Sequence, residues 1–377
     1  MIGAMKLKRP QRVAVIGAGL SGATCARTLA EAGIDVHLFD KRRGFGGRLA
    51  TRRMEWVDRQ GQPQSTRLDH GAVGFEARSS AFQALVADAV ESGLLALWQP
   101  QLPADGLSAA DLPPLYVPVP DMPALCRCLA DGVPLVTGFD VDNVQCTPAG
   151  WMLKAGSTFH QHTFDAVLLA MPPAQAATLL APHREDWARQ AAVTPMLPGW
   201  TLMGVADEPA QAPDWQAARP ATGPLAWIIR HESRPGRKTV AGQSHWVAHA
   251  RPSWSRQHLE QPASWVQAEL QSAMEHGVGH ALRWQHVQVH RWRYALPQPH
   301  RSMPTDCSWW DPQLGLGVCG DFLGGTGAEG AWLSARALCA ALLLRPGPAE
   351  QSGPADGVSA ASPSRLGPGL VSAALSP

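Results

Sequence analysis

A glycine-rich turn near the N-terminus constrains the fold of this 377-residue chain more than any other feature. An apolar, β-branched segment, Arg12–Ile16, precedes the turn and predicts a buried parallel strand. A helical pattern follows the turn through Ala32, and a second short apolar segment, Asp35–Phe39, ends at Asp40. The sequence therefore predicts one βαβ unit, with the turn between its first strand and its helix.

The spacing Gly17-x-Gly19-x-x-Gly22 within the turn is typical of a dinucleotide site. Gly17 permits a tight turn, Gly19 lets a pyrophosphate approach the backbone, and Gly22 lets the helix pack closely on the strand. The free amides at the helix N-terminus attract phosphate, and we predict a cofactor contact from Ser21 there. Asp40 follows 18 residues beyond Gly22, where its carboxylate can accept hydrogen bonds from both ribose hydroxyls.

A second glycine pair, directly after the second strand, indicates a flavin rather than a nicotinamide cofactor. The loop from Lys41 to Arg53 contains Gly46, Gly47 and Arg48. We expect it to lie along the pyrophosphate and ribityl chain of FAD, with the glycines removing side chains near the cofactor. Arg48 offers a planar pair of donors to a phosphate, and Lys41 is a further predicted contact. The alternative is a basic surface loop.

These motifs resemble the flavin amine-oxidase superfamily and, within it, the bacterial renalase-like proteins. The resemblance lies in the run Asp40 to Arg53 followed by Asp69-His70-Gly71-Ala72, and three further stretches support it, at 165–173, 246–255 and 320–331. It covers roughly residues 12–345. It implies non-covalent FAD, a ribityl contact from Asp321 and an adenine contact from the backbone of Val141.

The implied fold class is α/β, with a discontinuous Rossmann-type FAD-binding domain and a mixed-sheet α+β substrate domain. We predict the FAD domain from 1–75, 126–192 and 305–346, the substrate domain from 76–125 and 193–304, and a disordered tail over 347–377. Local patterns predict a helix over 76–98, an irregular segment over 99–120, a helix from an Asp121 cap through Ala130 with Pro123 in its first turn, and antiparallel strands at Trp246–Ala250 and His286–Tyr294.

The C-terminal motif predicts a helix that begins at the flavin. Thr326 and Glu329 have the spacing of a capping box. A helix N-terminus at this point, with Ala328 in its first turn, would stabilise negative charge at the N1–C2 carbonyl of reduced flavin. An apolar stripe continues along the helix through Ala331, Trp332, Ala335, Leu338, Cys339 and Leu342.

Lysine is scarce, which bears on the chemistry. It occurs at only five positions, 6, 8, 41, 154 and 238, and arginine supplies the other 27 basic residues. Many amine oxidases of the superfamily place a lysine beside flavin N5, yet neither Lys154 nor Lys238 ends a strand expected to reach the flavin. This departure favours the renalase-like activity, in which a reduced nicotinamide-type small molecule, a dihydro-NAD(P) isomer, passes a hydride to FAD and dioxygen takes the electrons. An amine oxidase or desaturase, and a non-enzymatic flavin-bound redox sensor, remain alternatives.

Three side chains are candidates for the substrate face: His70, His249 and Trp292. The alternative for each histidine is a hydrogen-bonded structural role. Histidine pairs spaced i, i+4 occur in the predicted strands, where four residues span about 13 Å, so we expect no metal site. One strand face contains His286, Gln288, His290, Trp292 and Tyr294, and is a candidate wall over the flavin.

Composition excludes several partner classes. The formal net charge is +1, so we expect no nucleic-acid or membrane-surface partner. No apolar run reaches the length of a membrane span. Seven scattered cysteines suit neither a zinc site nor a disulfide framework, which predicts a reduced, cytoplasmic protein. The sequence leaves the oligomeric state open.

Overall fold

The computed structural model describes residues 9–104, 112–209, 212–238, 240–298, 306–325 and 327–344. The N-terminal half contains, in chain order, β1 (Arg12–Ile16), α1 (Leu20–Glu31), β2 (Asp35–Asp40), β3 (Thr51–Val57), β4 (Pro63–Asp69), α2 (Ser80–Glu91), β5 (Leu95–Trp98), β6 (Leu115–Pro118), α3 (Ala124–Leu129), β7 (Leu135–Thr137), β8 (Asn143–Thr147), β9 (Gly150–Ala155), β10 (Thr158–Phe159), β11 (Ala166–Leu169) and α4 (Pro173–Leu180). The remainder contains α5 (Glu185–Val193), β12 (Met196–Asp207), β13 (Ala217–Ala218), β14 (Leu225–Arg230), β15 (Gln243–Ala250), α6 (Pro252–Gln257), α7 (Ala263–Val278), β16 (Trp284–Pro297), β17 (Trp309–Asp311), β18 (Leu316–Val318), α8 (Asp321–Gly324) and α9 (Gly327–Leu343).

A six-stranded sheet carries the glycine turn. Its strand order is β17-β18-β11-β1-β2-β7, and every neighbouring pair except β17–β18 is parallel. The predicted βαβ unit is confirmed as β1, α1 and β2. The β1 strand is buried from Val13 onward because its parallel neighbours on both sides place it in the centre of the sheet.

Helix α9 packs on α1 and fills the core on one side of this sheet. Every residue of the predicted apolar stripe of α9 is buried, which confirms that stripe. Cys25 of α1 lies with its sulfur 3.7 Å from that of Cys319, in the same core. The C-terminal strand and helix therefore return to the N-terminal βαβ unit and complete its core.

A second, five-stranded antiparallel sheet has the order β13-β14-β15-β12-β16. The two predicted strands are confirmed, and both are longer than expected. One face of the sheet packs against α6 and α7. The other meets the β3–β4 hairpin, where Met203 and Val247 contact Met54 and Leu68. The sequence patterns did not predict this hairpin.

The predicted helix over 76–98 is wrong at both ends. Helix α2 occupies only Ser80–Glu91, and Gly93 adopts a φ of +75°, a left-handed conformation that ends it. Leu95–Trp98 then forms β5, which pairs with β6 inside the segment predicted to be irregular. A short apolar run fits a helix and a strand equally well, and pairing with β6 decides the outcome.

The predicted cap of the next helix is also wrong. Pro123 occupies the N-cap of α3, and no side chain caps the helix. The Asp121 carboxylate instead accepts a hydrogen bond from Arg127 at 2.7 Å. The predicted cap residue Thr326 and the predicted tail 347–377 lie outside the described residues. Within the described residues, no helix is long and apolar enough to cross a membrane.

Candidate functional site

The glycine turn lies at the carboxyl end of β1. Gly17 has a φ of +112°, and a Cβ atom there would lie 2.2 Å from the Ala170 carbonyl oxygen. A Cβ on Gly22 would lie 1.8 Å from the Gly17 oxygen. The space beside Gly19 is more open, since the nearest atom to its Cβ position is Gly47 Cα at 3.7 Å. Helix α1 has no side-chain cap, so its first amides are available to an anion.

The second glycine loop lies directly against the first. Gly46 N donates to Ala18 O at 2.9 Å, and Gly19 and Gly46 form an isolated parallel bridge. Gly46 has a φ of +116°, and a Cβ atom there would lie 2.0 Å from Leu49 O. The two motifs, predicted separately from the sequence, thus form one backbone-lined surface at the end of β1.

Asp40 is fixed beside this surface. One carboxylate oxygen accepts from Ala18 N and the other from Arg42 N, each at 2.8 Å. Each oxygen keeps a lone pair for a further donor, as a ribose contact requires. The structure therefore places the predicted ribose ligand next to the glycine turn.

The remaining predicted contacts at this end lie on the neighbouring segment. Phe139 N donates to Asp40 O at 3.3 Å, and Val141, two residues later, is 8% exposed. No backbone hydrogen bond from another described residue reaches Val141. Lys41 is exposed, with Nζ 3.9 Å from an Asp140 oxygen. An open Gly19, an uncapped α1, a positioned carboxylate and a free backbone segment together fit an elongated dinucleotide.

Arg48 and Asp321 come together although 273 residues separate them. The guanidinium donates to both carboxylate oxygens, at 2.7 and 2.6 Å, and also to Ala295 O of β16 at 3.2 Å. Asp321 is 3% exposed. The structure thus brings two predicted cofactor residues into one ion pair, with the Arg48 donors on a carboxylate.

Side-chain hydrogen bonds connect the start of α9 to other parts of the chain, through Ser21 of the first glycine motif and Glu329 of the C-terminal motif. The Ser21 hydroxyl donates to Ala331 O at 3.0 Å. The Glu329 carboxylate accepts from Arg78 N at 2.8 Å and from Ser79 N at 2.7 Å, so this predicted capping residue binds the chain ahead of α2. Ala328 packs partly buried on the core.

A row of side chains crosses the face of the five-stranded sheet that meets the β3–β4 hairpin. Trp227 of β14, His249 of β15, Thr201 of β12 and His290 of β16 are direct cross-strand neighbours. Directly opposed residues share one face of a sheet. Thr201 Oγ1 and His249 Nδ1 are 3.3 Å apart. We call these four residues the cross-strand row.

His70 and Trp292 contact the end of this row. The ring of His70 lies 4.8 Å from that of His290 and 5.1 Å from that of Trp292, and the Trp292 indole donates to His70 O at 3.2 Å. Arg42 Cζ lies 5.2 Å from the Trp292 ring centroid, and Arg52 Nη1 lies 3.3 Å from His290 Nδ1. The structure therefore connects the predicted substrate-face residues to the loop that follows Asp40.

Burial keeps the histidines of this face neutral. It lowers the pKa of His70 to about 3, and the positive charges of Arg52 and Arg42 act in the same direction. Burial also lowers the pKa of His249 to about 3 and that of His290 to about 4. All three rings are therefore uncharged at neutral pH, and the face is aromatic and poor in titrating groups.

The predicted wall along β16 is only partly continuous. His286 stacks on Trp56 at 5.5 Å rather than joining His70. Pairing with β12 is irregular beyond Trp292, because the register shifts between the Gly199 and Leu197 positions. The regular alternation predicted for this strand therefore does not continue to Tyr294.

Sequence reasoning missed a buried charge cluster next to this face. Asp69 Oδ2 lies 2.8 Å from Arg237 Nε and 3.3 Å from Arg234 Nη1, and Thr51 Oγ1 donates to Oδ1 at 2.5 Å. Burial alone would raise the pKa of Asp69, but contact with His231 and the charges of both arginines hold it well below its ordinary value. No local pattern in the run Arg234-Pro-Gly-Arg marks it as a loop that folds inward.

The described lysines lie away from this face. Lys154 is on β9, with Nζ 5.6 Å from the Phe159 ring centroid, and Lys238 and Lys41 are exposed. No described lysine contacts His70, His290 or Trp292. Among the described residues no group of three metal-ligating side chains occurs.

Comparisons with known proteins place this geometry in a fold group. Residues 15–89 match a family model described as a NAD(P)-binding Rossmann-like domain. The structure is similar to that of a proposed protoporphyrinogen oxidase from Exiguobacterium sp. 255-15, with a TM-score of 0.65 and 12% identity, covering 88% of this chain and 98% of that one. It is also similar to cyclohexylamine oxidase from Brevibacterium oxydans IH-35A (TM-score 0.57, 12% identity, 88% and 98% coverage) and to reduced UDP-galactopyranose mutase (TM-score 0.60, 10% identity, 88% and 95% coverage).

These similarities establish the fold. The chain has a Rossmann-like domain and the overall α/β fold of these proteins, as the sequence predicted. At such low identity, fold does not fix chemistry, so the function has to be argued from the side chains of the site.

Proposed function

We propose that this protein is an FAD-dependent oxidoreductase of renalase-like type. In this proposal a reduced nicotinamide-type small molecule, a dihydro-NAD(P) isomer, passes a hydride to non-covalently bound FAD. Dioxygen then receives the two electrons and, with two protons, becomes hydrogen peroxide. The observation that supports this proposal most strongly is the neutral, aromatic cluster of His70, His290 and Trp292 beside the loop that follows Asp40.

The cofactor part of the proposal rests on the backbone-lined surface that the two glycine motifs form at the end of β1, which we call the glycine surface. Gly17, Gly19, Gly22, Gly46 and Gly47 present backbone where a pyrophosphate would lie, next to the uncapped start of α1. Asp40 and Val141 offer a carboxylate and free backbone groups at one end. The Arg48–Asp321 pair offers donors and acceptors at the other. The similarity of the fold to that of cyclohexylamine oxidase agrees with the resemblance of the sequence motifs to the flavin amine-oxidase superfamily.

The substrate part rests on the neutral state of the histidines at this site, since the charged groups beside them, Arg42 and Arg52, are not bases at neutral pH. A dihydropyridine ring is electron-rich, so its hydride transfer needs close stacking on the flavin rather than a strong base. Trp292 and the neutral rings of His70 and His290 are suited to holding such a ring and excluding water. Lys154 lies against Phe159, and Lys41 and Lys238 are exposed, so no described lysine is buried at this face.

Anaerobic stopped-flow absorbance tests this proposal. The FAD-loaded protein is mixed with 2-, 4- and 6-dihydro-NAD(P) isomers and, in parallel, with primary and secondary amines. We expect rapid bleaching of the flavin by at least one dihydronicotinamide isomer and none by the amines. Bleaching by amines alone would establish an amine oxidase of the same fold instead. No bleaching by any of these compounds would contradict both activities.

A further inference from the structure

Two arginines lie against the aromatic cluster of the proposed substrate face. Arg42 Cζ is 5.2 Å from the Trp292 ring centroid, and Arg52 Nη1 is 3.3 Å from His290 Nδ1. The rings of His290 and Trp292 are 4.5 Å apart, so the two arginines contact neighbouring members of the cluster. Both arginines are exposed, whereas Trp292 is buried. The two guanidinium groups therefore mark the place where the cluster reaches solvent.

The position of Arg52 in β3 directs its charge toward this cluster. Arg52, Met54 and Trp56 alternate along β3 and so share one face of the β3–β4 hairpin. Met54 is buried in contact with Met203, and Trp56 stacks on His286. This face of the hairpin therefore packs on the five-stranded sheet. Arg52 continues the same row to the exposed end of the contact, with a charge in place of an apolar side chain.

Neither arginine is neutralised by a carboxylate of the described residues. Arg42 Nη1 donates to Gly47 O at 3.2 Å, and the other described partner of each guanidinium is an uncharged ring. The carboxylate of Glu55, on the same strand, pairs instead with Arg53 at 2.8 Å. A guanidinium has five N–H donors, so most donors of both groups stay available to a ligand or to water. Two positive charges thus adjoin a neutral aromatic cluster.

Phosphate is the ligand group that suits this arrangement best. Arginine binds phosphate through pairs of parallel N–H donors, and such contacts are stronger than those between neutral groups. In a dihydronicotinamide nucleotide, a single ribose separates the reactive ring from its first phosphate. A ring held by His70, His290 and Trp292 would therefore carry that phosphate close beside the cluster. Arg42 and Arg52 contact the cluster on its exposed side, within reach of such a group.

We propose that Arg42 and Arg52 bind the phosphate nearest the nicotinamide ring of the substrate. The recognised unit is then a mononucleotide. The ring and ribose without phosphate bind weakly, and the adenylate half adds little, because both arginines contact the cluster itself. This inference rests on the proposed function in placing the ring at the aromatic cluster. Its test measures the binding of oxidised ligands, which donate no hydride, so the two proposals fail separately.

Isothermal titration calorimetry of the FAD-loaded, full-length protein tests the site. The ligands are nicotinamide riboside, nicotinamide mononucleotide and NAD⁺, which share the ring and ribose and differ beyond them. We expect the mononucleotide to bind at least about tenfold more tightly than the riboside, which corresponds to about 1.4 kcal/mol. NAD⁺ should bind within about threefold of the mononucleotide. Inorganic phosphate, titrated alone, should bind much more weakly than the mononucleotide because it lacks the ring.

Substitutions assign the preference to the two arginines. Arg52→Gln and Arg42→Gln should each reduce the tenfold preference to about threefold, and the double variant should remove it. Arg52→Lys should keep part of it, because the charge stays while the planar donor pair is lost. Arg67→Gln is the matched control, since this exposed arginine lies on the outer face of the same hairpin, opposite Arg53, and pairs with Asp121. It should behave as wild type.

FAD is a second source of phosphate near Arg42, because this residue belongs to the loop expected to lie along the cofactor. Fluorescence titration of the apoprotein with FAD separates the two sources. We expect the FAD affinities of Arg42→Gln and Arg52→Gln to stay within about threefold of wild type. A large loss of FAD affinity with an undiminished mononucleotide preference would assign the arginines to the cofactor and overturn the proposal.

Equal binding of riboside and mononucleotide by wild type would also contradict the proposal, as would an undiminished preference in the double variant. Binding of inorganic phosphate as tight as that of the mononucleotide would reduce the site to one for a free anion. Thermal unfolding checks that the variants fold, and if the double variant does not, the two single variants decide the matter. Flavin reduction by amines alongside an intact mononucleotide preference would contradict the proposed reaction and leave the phosphate site standing.

Discussion

The glycine surface and the buried charge cluster around Asp69, which we call the Asp69 cluster, differ in how the sequence specifies them. The glycine surface is built from backbone within two short stretches, and Gly17 and Gly46 adopt conformations that few other residues allow. The Asp69 cluster is built from side chains of β3, β4 and the loop after β14, and only the folded chain brings them together. A candidate cofactor surface made of backbone can therefore be recognised from the sequence. A buried charge cluster cannot, because it forms only in the tertiary structure.

Among the tests of this difference, we expect the largest effect from removing the negative charge of Asp69, which should lower the free energy of unfolding. Asp69→Asn leaves two arginines buried without a carboxylate, so we expect the free energy of unfolding to fall by about 3–5 kcal/mol. Urea denaturation followed by tryptophan fluorescence measures it. Glu260→Gln breaks the exposed pair with Arg293 and should change little. A similar small loss in both variants would mean that the Asp69 cluster is not a buried structural unit.

The next effect concerns the glycine surface. Gly19→Val places a branched side chain where the surface is open, so we expect flavin affinity to fall at least about a hundredfold, or about 2.7 kcal/mol. Fluorescence titration of the apoprotein with FAD measures this. Gly44→Val is the matched control, because no atom lies within 4 Å of its Cβ position in the same loop. Unchanged FAD affinity in Gly19→Val would contradict the assignment of this surface.

Acid should destabilise the fold through the buried histidines of the proposed substrate face. In the folded state the pKa of His249 is about 3, whereas the unfolded chain has an ordinary histidine value near 6.5, so the unfolded state binds more protons between these limits. Stability is therefore complete above about pH 6.5 and falls by up to about 1.4 kcal/mol per pH unit below it. Urea midpoints at several pH values should show a shallower dependence in His249→Asn than in wild type. His276→Asn, at an exposed position of α7, should retain the full slope, and equal slopes in all three proteins would refute the expectation.

The smallest effect expected is on the ribose contact. Asp40→Asn keeps an acceptor for Ala18 N but loses the charge, so we expect FAD affinity to fall about tenfold, or about 1.4 kcal/mol. The same fluorescence titration measures it. A variant that binds FAD as wild type does would remove Asp40 from the site.

The elements predicted correctly from the sequence were those with strong local patterns. The βαβ unit, the stripe of α9 and the long strands β15 and β16 all follow from periodicity, and burial in the fold agrees with it. Hairpin β3–β4 was missed, since its strand β3 is rich in charged residues and only one side is buried. The β5–β6 pair was missed because pairing between distant segments decides it.

The residues of the candidate site likewise fall into those that the sequence identified and those that it did not. The glycines, Asp40 and Arg48 were predicted from motif spacing, Asp321 was implied by the family resemblance, and the structure brings these residues into two neighbouring groups. The role of Arg48 as a partner of Asp321 was not predicted, since no pattern relates residues 273 positions apart. The burial of Arg234 was not predicted, because it depends on Trp98 and Asp69, which lie far away in the chain.

The central claim is hydride transfer at an aromatic site whose histidines are uncharged, and one measurement tests it most directly. Anaerobic flavin bleaching is recorded with a dihydronicotinamide isomer, unlabelled and deuterated at the transferred position, between about pH 6 and 8. With His70, His249 and His290 neutral throughout, the bleaching rate should be slowed by deuterium and should not change with pH. A rate that is insensitive to deuterium and rises with the deprotonation of a group in this range would contradict the account.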